Sequence, residues 1–296
     1  MVINKPGNIT DRIVMLGKKE SNVYILKGED EYVLIGGGMI HIIPDMIEQI
    51  KQLGIEEKKI KRIFILHAHF DHCGIVPYFK KRWPWVSVTA SRRAKEILSN
   101  HKVMGSITFM NQVLIEQYGL KKKAESLGFL SNMLEIETTV GDGDVLSCGG
   151  LSLEILEVPG HSSCSIAVYV PEEKAMFASD AGGIPFGDKI MTSANSNFDK
   201  YQESLKKMAP YEIDVYLAEH FGARMGEEGR NYLKRSMESA DEFRAVLEES
   251  LRRNKDVNKS TEEITDRLIV EAPKDFLPRD VLLIVVGQML KFLSKT

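Results

Sequence analysis

Ile60-Lys61-Arg62-Ile63-Phe64-Ile65-Leu66 runs directly into His67-Ala68-His69-Phe70-Asp71-His72. The first stretch closes on a continuous apolar run, Ile63 to Leu66, the pattern of a strand covered on both faces. The second gathers three of the chain's seven histidines and an aspartate at that strand's end. In extended or looping backbone the i, i+2 spacing sends His67 and His69 to one side, where both imidazoles reach one ion. Asp71 and His72 lie around a turn and face a second position. A single tetrahedral ion needs about three protein ligands plus water, so four donors already exceed the demand of one site. Further ligands are expected elsewhere.

Three candidates stand at the ends of predicted strands: His161 after Ile155 to Val158, Asp180 after Met176-Phe177-Ala178, and His220 after Val215 to Ala218. Alone, each reads as a cap or a satisfied polar residue; beside the H-x-H-x-D-H cluster they read as ligands. His41, next to the Gly36-Gly37-Gly38 turn, and His101, inside a helical stretch, read as structural or surface residues.

Around this centre the N-terminal part alternates short β-branched and aromatic runs with turn residues: Arg12 to Leu16, Val23 to Leu26 and Tyr32 to Ile35 predict strands. Pro44 opens an amphipathic helix that Gly54 stops. Ser91 to Ser131 carries helical spacing, an insertion of about 91–135. Strand patterns return at Thr138 to Gly141, Val145 to Cys148, Leu151 to Val158, Ser165 to Val170 and Ala175 to Ala178, followed by a helix over Phe198 to Met208. Beyond Gly229 the chain is helical, with Ser260 and Glu263 matching a capping box and Pro273 and Pro278 as breaks. The order argues for an α/β protein of packed sheets covered by helices. Residues 1–225 form the domain, and 226–296 a helical extension over its active-site edge.

The 296 residues are 43% hydrophobic and 27% charged, with 39 basic against 42 acidic side chains. That composition describes a folded soluble chain and gives no electrostatic reason for nucleic acid or anionic membrane as partner. The apolar run Val281 to Leu293 carries Gln288 and Lys291 and is shorter than the roughly 20 residues a membrane span requires; it is expected to bury against the domain or a second chain, so a homodimer stays open. No secretory leader pattern opens the sequence. Three cysteines, Cys73, Cys148 and Cys164, without a C-x-x-C pair suit a reducing cytoplasm.

H-x-H-x-D-H followed by a spaced His, Asp and His resembles the metallo-beta-lactamase superfamily over about residues 10 to 225. The resemblance implies a four-layer αββα sandwich with its ligands on loops at one sheet edge. It implies two divalent transition-metal ions, zinc, iron or manganese: His67, His69 and His161 on the first, Asp71, His72 and His220 on the second, Asp180 bridging. His72-Cys73-Gly74-Ile75-Val76-Pro77-Tyr78, the Gly36-Gly37-Gly38 turn and Asp275-Phe276-Leu277-Pro278 further resemble an alkylquinolone-pathway thioesterase branch of that family. Two positions depart from the family pattern. Gly36 stands where many members carry an aspartate that supports a ligand, and Glu219 stands where glycine commonly precedes the last histidine.

The expected activity is hydrolysis of a small acyl-thioester by a hydroxide shared between the two metals, with Asp71 orienting that hydroxide as well as ligating. Cys73 reads as a small buried residue rather than a nucleophile. Met104, Phe109, Met110, Met133, Leu134, Phe276, Leu277, Met289 and Phe292 are core residues first and candidate walls of an acyl pocket second. Arg252, Arg253 and Lys255 read as a solvated face before a contact for an anionic thiol carrier. Alternatives on the same scaffold are a lactonase, a phosphodiesterase, an iron-dependent oxygenase, or a regulatory binding protein.

Overall fold

Along the strand Ile13–Lys18 burial alternates between two cores: Ile13 and Met15 enter one, Val14 and Leu16 the other. A strand with this period-two pattern and no polar face must lie in a sheet covered on both sides. The computed structural model describes residues 1–128, 134–271 and 279–295. It divides into two units, the first made of Met1–Glu157, Cys164–Ser179 and Glu212–Arg230, the second of Val158–Ser163, Asp180–Tyr211 and Asn231–Thr296.

The first unit holds two seven-stranded sheets. One runs Gly7–Asn8, Ile13–Lys18, Ser21–Lys27, Tyr32–Ile35, Ile60–Phe64, Ser87–Ser91 and Thr138–Val140 in spatial order. Its first pairings are antiparallel and its last three parallel. Parallel neighbours need crossovers, and these carry the helices Ile43–Gln52, Val76–Arg82, Arg92–Leu98, His101–Gln117 and Lys121–Leu127. The other sheet runs Val2–Ile3, Ala223–Met225, Val215–Leu217, Ala175–Phe177, Ile166–Val170, Leu151–Glu157 and Val145–Cys148. Ile13, Met15, Tyr24 and Phe64 of the one share a core with Leu153, Ile155, Val168, Phe177 and Leu217 of the other. The outer face of the first sheet, with Val14, Ile25 and Leu34, buries against Met46, Ile50, Phe79, Trp83 and Leu98 of the crossover helices.

The second unit contains the hairpin Ile184–Phe186 with Lys189–Met191 and the helices Phe198–Met208, Tyr232–Asn254, Val257–Glu271 and Arg279–Leu293. The last helix packs on the two before it and buries Leu282, Val286, Met289 and Leu290. Among the described residues no helix is long and apolar enough to cross a membrane.

Predicted elements appear within a few residues of their expected bounds, and Phe198–Met208 has the bounds read from sequence. The capping box at Ser260 and Glu263 is a correction. Ser260 lies inside the helix, buried, and Asp256 supplies the cap, its Oδ1 accepting from the Asn258 and Lys259 amides at 2.7 and 3.0 Å. Glu263 instead accepts from Arg253, Asn254 and Ser250. Pro273 and Pro278 lie outside the described residues.

Candidate metal centre

In the first unit the apolar run carries on past the strand's last residue, Phe64, with the Ile65 amide bonded to the Thr89 carbonyl and the Leu66 carbonyl to the Ile166 amide, both at 2.9 Å. This pins His67 and leaves the next residues to turn. The single helical turn Phe70–His72 then swings Asp71 and His72 round. The glycine turn lies against it: a Cβ at Gly37 would stand 2.2 Å from the His72 carbonyl oxygen. The Gly74 and Ile75 amides donate to the Gly38 and Gly37 carbonyls at 2.8 and 3.0 Å. Only glycine permits that backbone approach.

The rings are held from behind. His72 Nδ1–H donates to Glu219 Oε2 at 2.9 Å, and His220 Nδ1–H to the Glu20 carbonyl at 2.7 Å. The hydrogen-bond network assigns these tautomers. A neutral imidazole has one N–H, so the two Nε2 atoms facing each other at 3.0 Å are both unprotonated. Asp71 Oδ2 joins them, 3.5 Å from His72 Nε2 and 3.7 Å from His220 Nε2. Three electron-pair donors converge here, an arrangement that a divalent cation relieves.

His67 is turned the same way. Its Nδ1 lies 3.2 Å from Ser179 Oγ, and its Nε2 faces His69 Nδ1 at 3.2 Å. Cys73 is buried, donates its thiol to the His69 carbonyl at 3.2 Å, and has its pKa pushed up to about 12 by burial first and by Asp71 second. It is not an activated thiol.

The second unit carries His161 and Asp180. His161 Nδ1–H donates to the Ser193 carbonyl at 2.8 Å, and its Nε2 stands 3.5 Å from Asp180 Oδ2. Ser193 Oγ donates to the Asp180 carbonyl at 2.7 Å, so one residue supports both. Gly160 has φ +133 and no room for a side chain, since a Cβ would lie 2.3 Å from the Tyr201 backbone.

Thus the first unit brings together His67, His69, Asp71, His72 and His220, and the second His161 with Asp180. His41 is buried outside this set, stacked on Tyr118 at 3.9 Å and bonded to Glu20 at 2.9 Å, while His101 is exposed. Of the candidate wall residues, Phe109 is 63% exposed, Met104 and Leu134 pack on the first unit's core, and Met289 is core in the second. Met133, Phe276 and Leu277 lie outside the described residues. Arg253 is engaged by Glu263. Sequence reasoning named no role for Ser179, Ser193, Glu20 or Glu219; the signal available was that a glutamate stands directly before His220.

Residues 16–220 match the family described as Metallo-beta-lactamase superfamily. The chain is 29% identical over 183 residues to the probable metallo-hydrolase YqgX of Bacillus subtilis (strain 168), covering 60% of this chain and 75% of that one. It is 22% identical over 184 residues to the human acyl-coenzyme A thioesterase MBLAC2, covering 58% of this chain and 61% of that relative's length. A metallo-beta-lactamase family protein from Thermus thermophilus superposes with a TM-score of 0.69 at 18% identity, covering 97% of this chain and 95% of that one. Two stacked sheets, rings braced at Nδ1 and a family match across all seven candidate ligands lead to one assignment: the chain belongs to the metallo-beta-lactamase superfamily.

Proposed function

We propose that this protein is a binuclear metal-dependent hydrolase of small acyl thioesters, with His67, His69, Asp71, His72, His161, Asp180 and His220 as ligands of two divalent transition-metal ions. The observation that carries the metal reading is the convergence of two unprotonated Nε2 atoms, 3.0 Å apart, on Asp71 Oδ2 at 3.5 and 3.7 Å. When bound, such ions lower the pKa of water and polarise a carbonyl oxygen. The chain's own residues do the rest. The Glu20 and Ser193 carbonyls and the Glu219 carboxylate fix the rings of His220, His161 and His72. Asp71, placed between the His72 and His220 rings, orients the attacking water by accepting its hydrogen bond.

The thioester class is supported by the relatives, because acyl-coenzyme A and hydroxyacylglutathione are both acyl thioesters and both appear in the names of proteins this chain resembles. The buried, protonated Cys73 agrees with hydrolysis that uses no protein thiol. The test combines metal analysis of the purified chain with a panel of thioester, lactone and phosphodiester substrates. Thioester turnover that falls with chelation and returns with zinc, iron or manganese is expected; turnover of phosphodiesters alone overturns the reading.

A further inference from the structure

We propose that Glu219 is a shared positioning residue, one buried carboxylate that sets the orientation of His72 directly and of His67 through Ser179. Resting on the metal reading above, it couples one ligand from each proposed trio to a single group.

Glu219 is 2% exposed, and its Oε2 accepts two hydrogen bonds, one from His72 Nδ1 at 2.9 Å and one from Ser179 Oγ. A hydroxyl has one proton, so Ser179, having donated it to the carboxylate, accepts at 3.2 Å from His67 Nδ1–H. Both rings are thereby left with Nε2 unprotonated and turned away from Glu219. The nitrogens nearest the carboxylate carry protons, so Glu219 orients the rings and does not ligate.

Three features show a built arrangement. Ser179 takes φ +49, a left-handed conformation unusual for serine. The backbone of the 218–219 segment is gripped on both sides, by Tyr24 Oη on the Ala218 carbonyl at 2.5 Å and by the Asn22 amide on the Glu219 carbonyl at 2.7 Å. Gly36 clears the space: a Cβ there would lie 2.6 Å from Glu219 Oε1, and its φ of +97 also disfavours any side chain. The remaining oxygen, Oε1, has no hydrogen-bond partner among the described residues, so the carboxylate is held chiefly by what it does for Ser179 and His72.

The test is a zinc titration of the chelated full-length chain against a chromophoric competitor, with proton–nitrogen correlation spectra of the histidine rings in the metal-free protein and circular dichroism to verify folding. Glu219→Ala is expected to weaken both zinc-binding steps, each by about 10–100-fold, and to disturb the Nδ1–H tautomers of both His67 and His72. Ser179 Oγ also lies 3.4 Å from His72 Nδ1, but His72 keeps its own bond to Glu219 at 2.9 Å, so Ser179→Ala is expected to weaken chiefly one step and to disturb the tautomer of His67 more than that of His72. Glu219→Gln keeps an acceptor oxygen and is expected to retain both tautomers with intermediate affinity, which keeps the test open if the alanine variant does not fold. A folded Glu219→Ala with unchanged tautomers and affinities, or with only one step weakened, overturns the proposal, as does Glu219→Gln with the affinity of the unmutated chain. Failure of the metal reading looks different: the unmutated chain then binds no zinc, while its ring tautomers still respond to Glu219→Ala.

Discussion

At the scale of single residues, the centre is governed by which ring nitrogen carries the proton. Asp71 is the group whose loss should fall on turnover most directly. Asp71→Asn removes the carboxylate proposed to orient water and is expected to lower kcat by about 10²–10⁴-fold with the fold intact, checked by steady-state kinetics beside circular dichroism. Cys73 should behave in the opposite way. Its raised pKa of about 12 keeps it a thiol throughout the neutral range, and the thiolate appears only as pH rises toward that value. Iodoacetamide at pH 8 should therefore label Cys73 far more slowly in the folded chain than in urea, by about 10³-fold on thiolate fraction alone; equal rates, read by mass spectrometry, would contradict the burial argument. The candidate ligands were legible because H-x-H-x-D-H is local. The two departures from the family pattern, Gly36 and Glu219, were legible only as oddities. Their meaning lay in a distance, 2.6 Å between a Cβ at position 36 and the glutamate oxygen, which the one-dimensional order hides.

At the scale of elements, the loop ends matter more than the strands that carry them. Gly160 presses on the Tyr201 backbone at φ +133, and its carbonyl accepts from the Ser196 and Asn197 amides at 2.9 and 3.0 Å. Gly160→Ala should lower the second unit's stability by about 1–3 kcal/mol and displace His161, which urea denaturation with metal analysis would register together. Asp256→Ala removes the cap of Val257–Glu271 and should cost about 1 kcal/mol, whereas Ser260→Ala should leave the cap unchanged; the urea midpoints decide between them. Phe198–Met208 was readable because Asn197 caps it through the Lys200 amide at 2.9 Å and its apolar residues recur at helical spacing. The hairpin Ile184–Phe186 with Lys189–Met191 was not, because Pro185 stands in a three-residue strand and proline argues against one.

At the scale of the whole molecule, the sandwich of the first unit is the rigid base on which the ring geometry depends. Leu153 is fully buried between the sheets, so Leu153→Ala should destabilise by about 2–5 kcal/mol and weaken metal binding only as far as the loops loosen. Metal removal should lower the melting temperature, since a ligand at 100 times its Kd stabilises by about 2.7 kcal/mol; a melt unmoved by chelation and by added zinc would contradict a bound metal. The sequence by itself determined the fold class and named the candidate ligands. Hydrophobic period and short-range spacing are local quantities, and metal chemistry follows from side-chain type. Only the tertiary structure decided how the rings are aimed. His72 meets Glu219 across 147 positions and His220 meets the Glu20 carbonyl across 200. Hydrogen bonds between such distant groups leave no periodic trace in the chain, and a backbone carbonyl carries no residue identity at all.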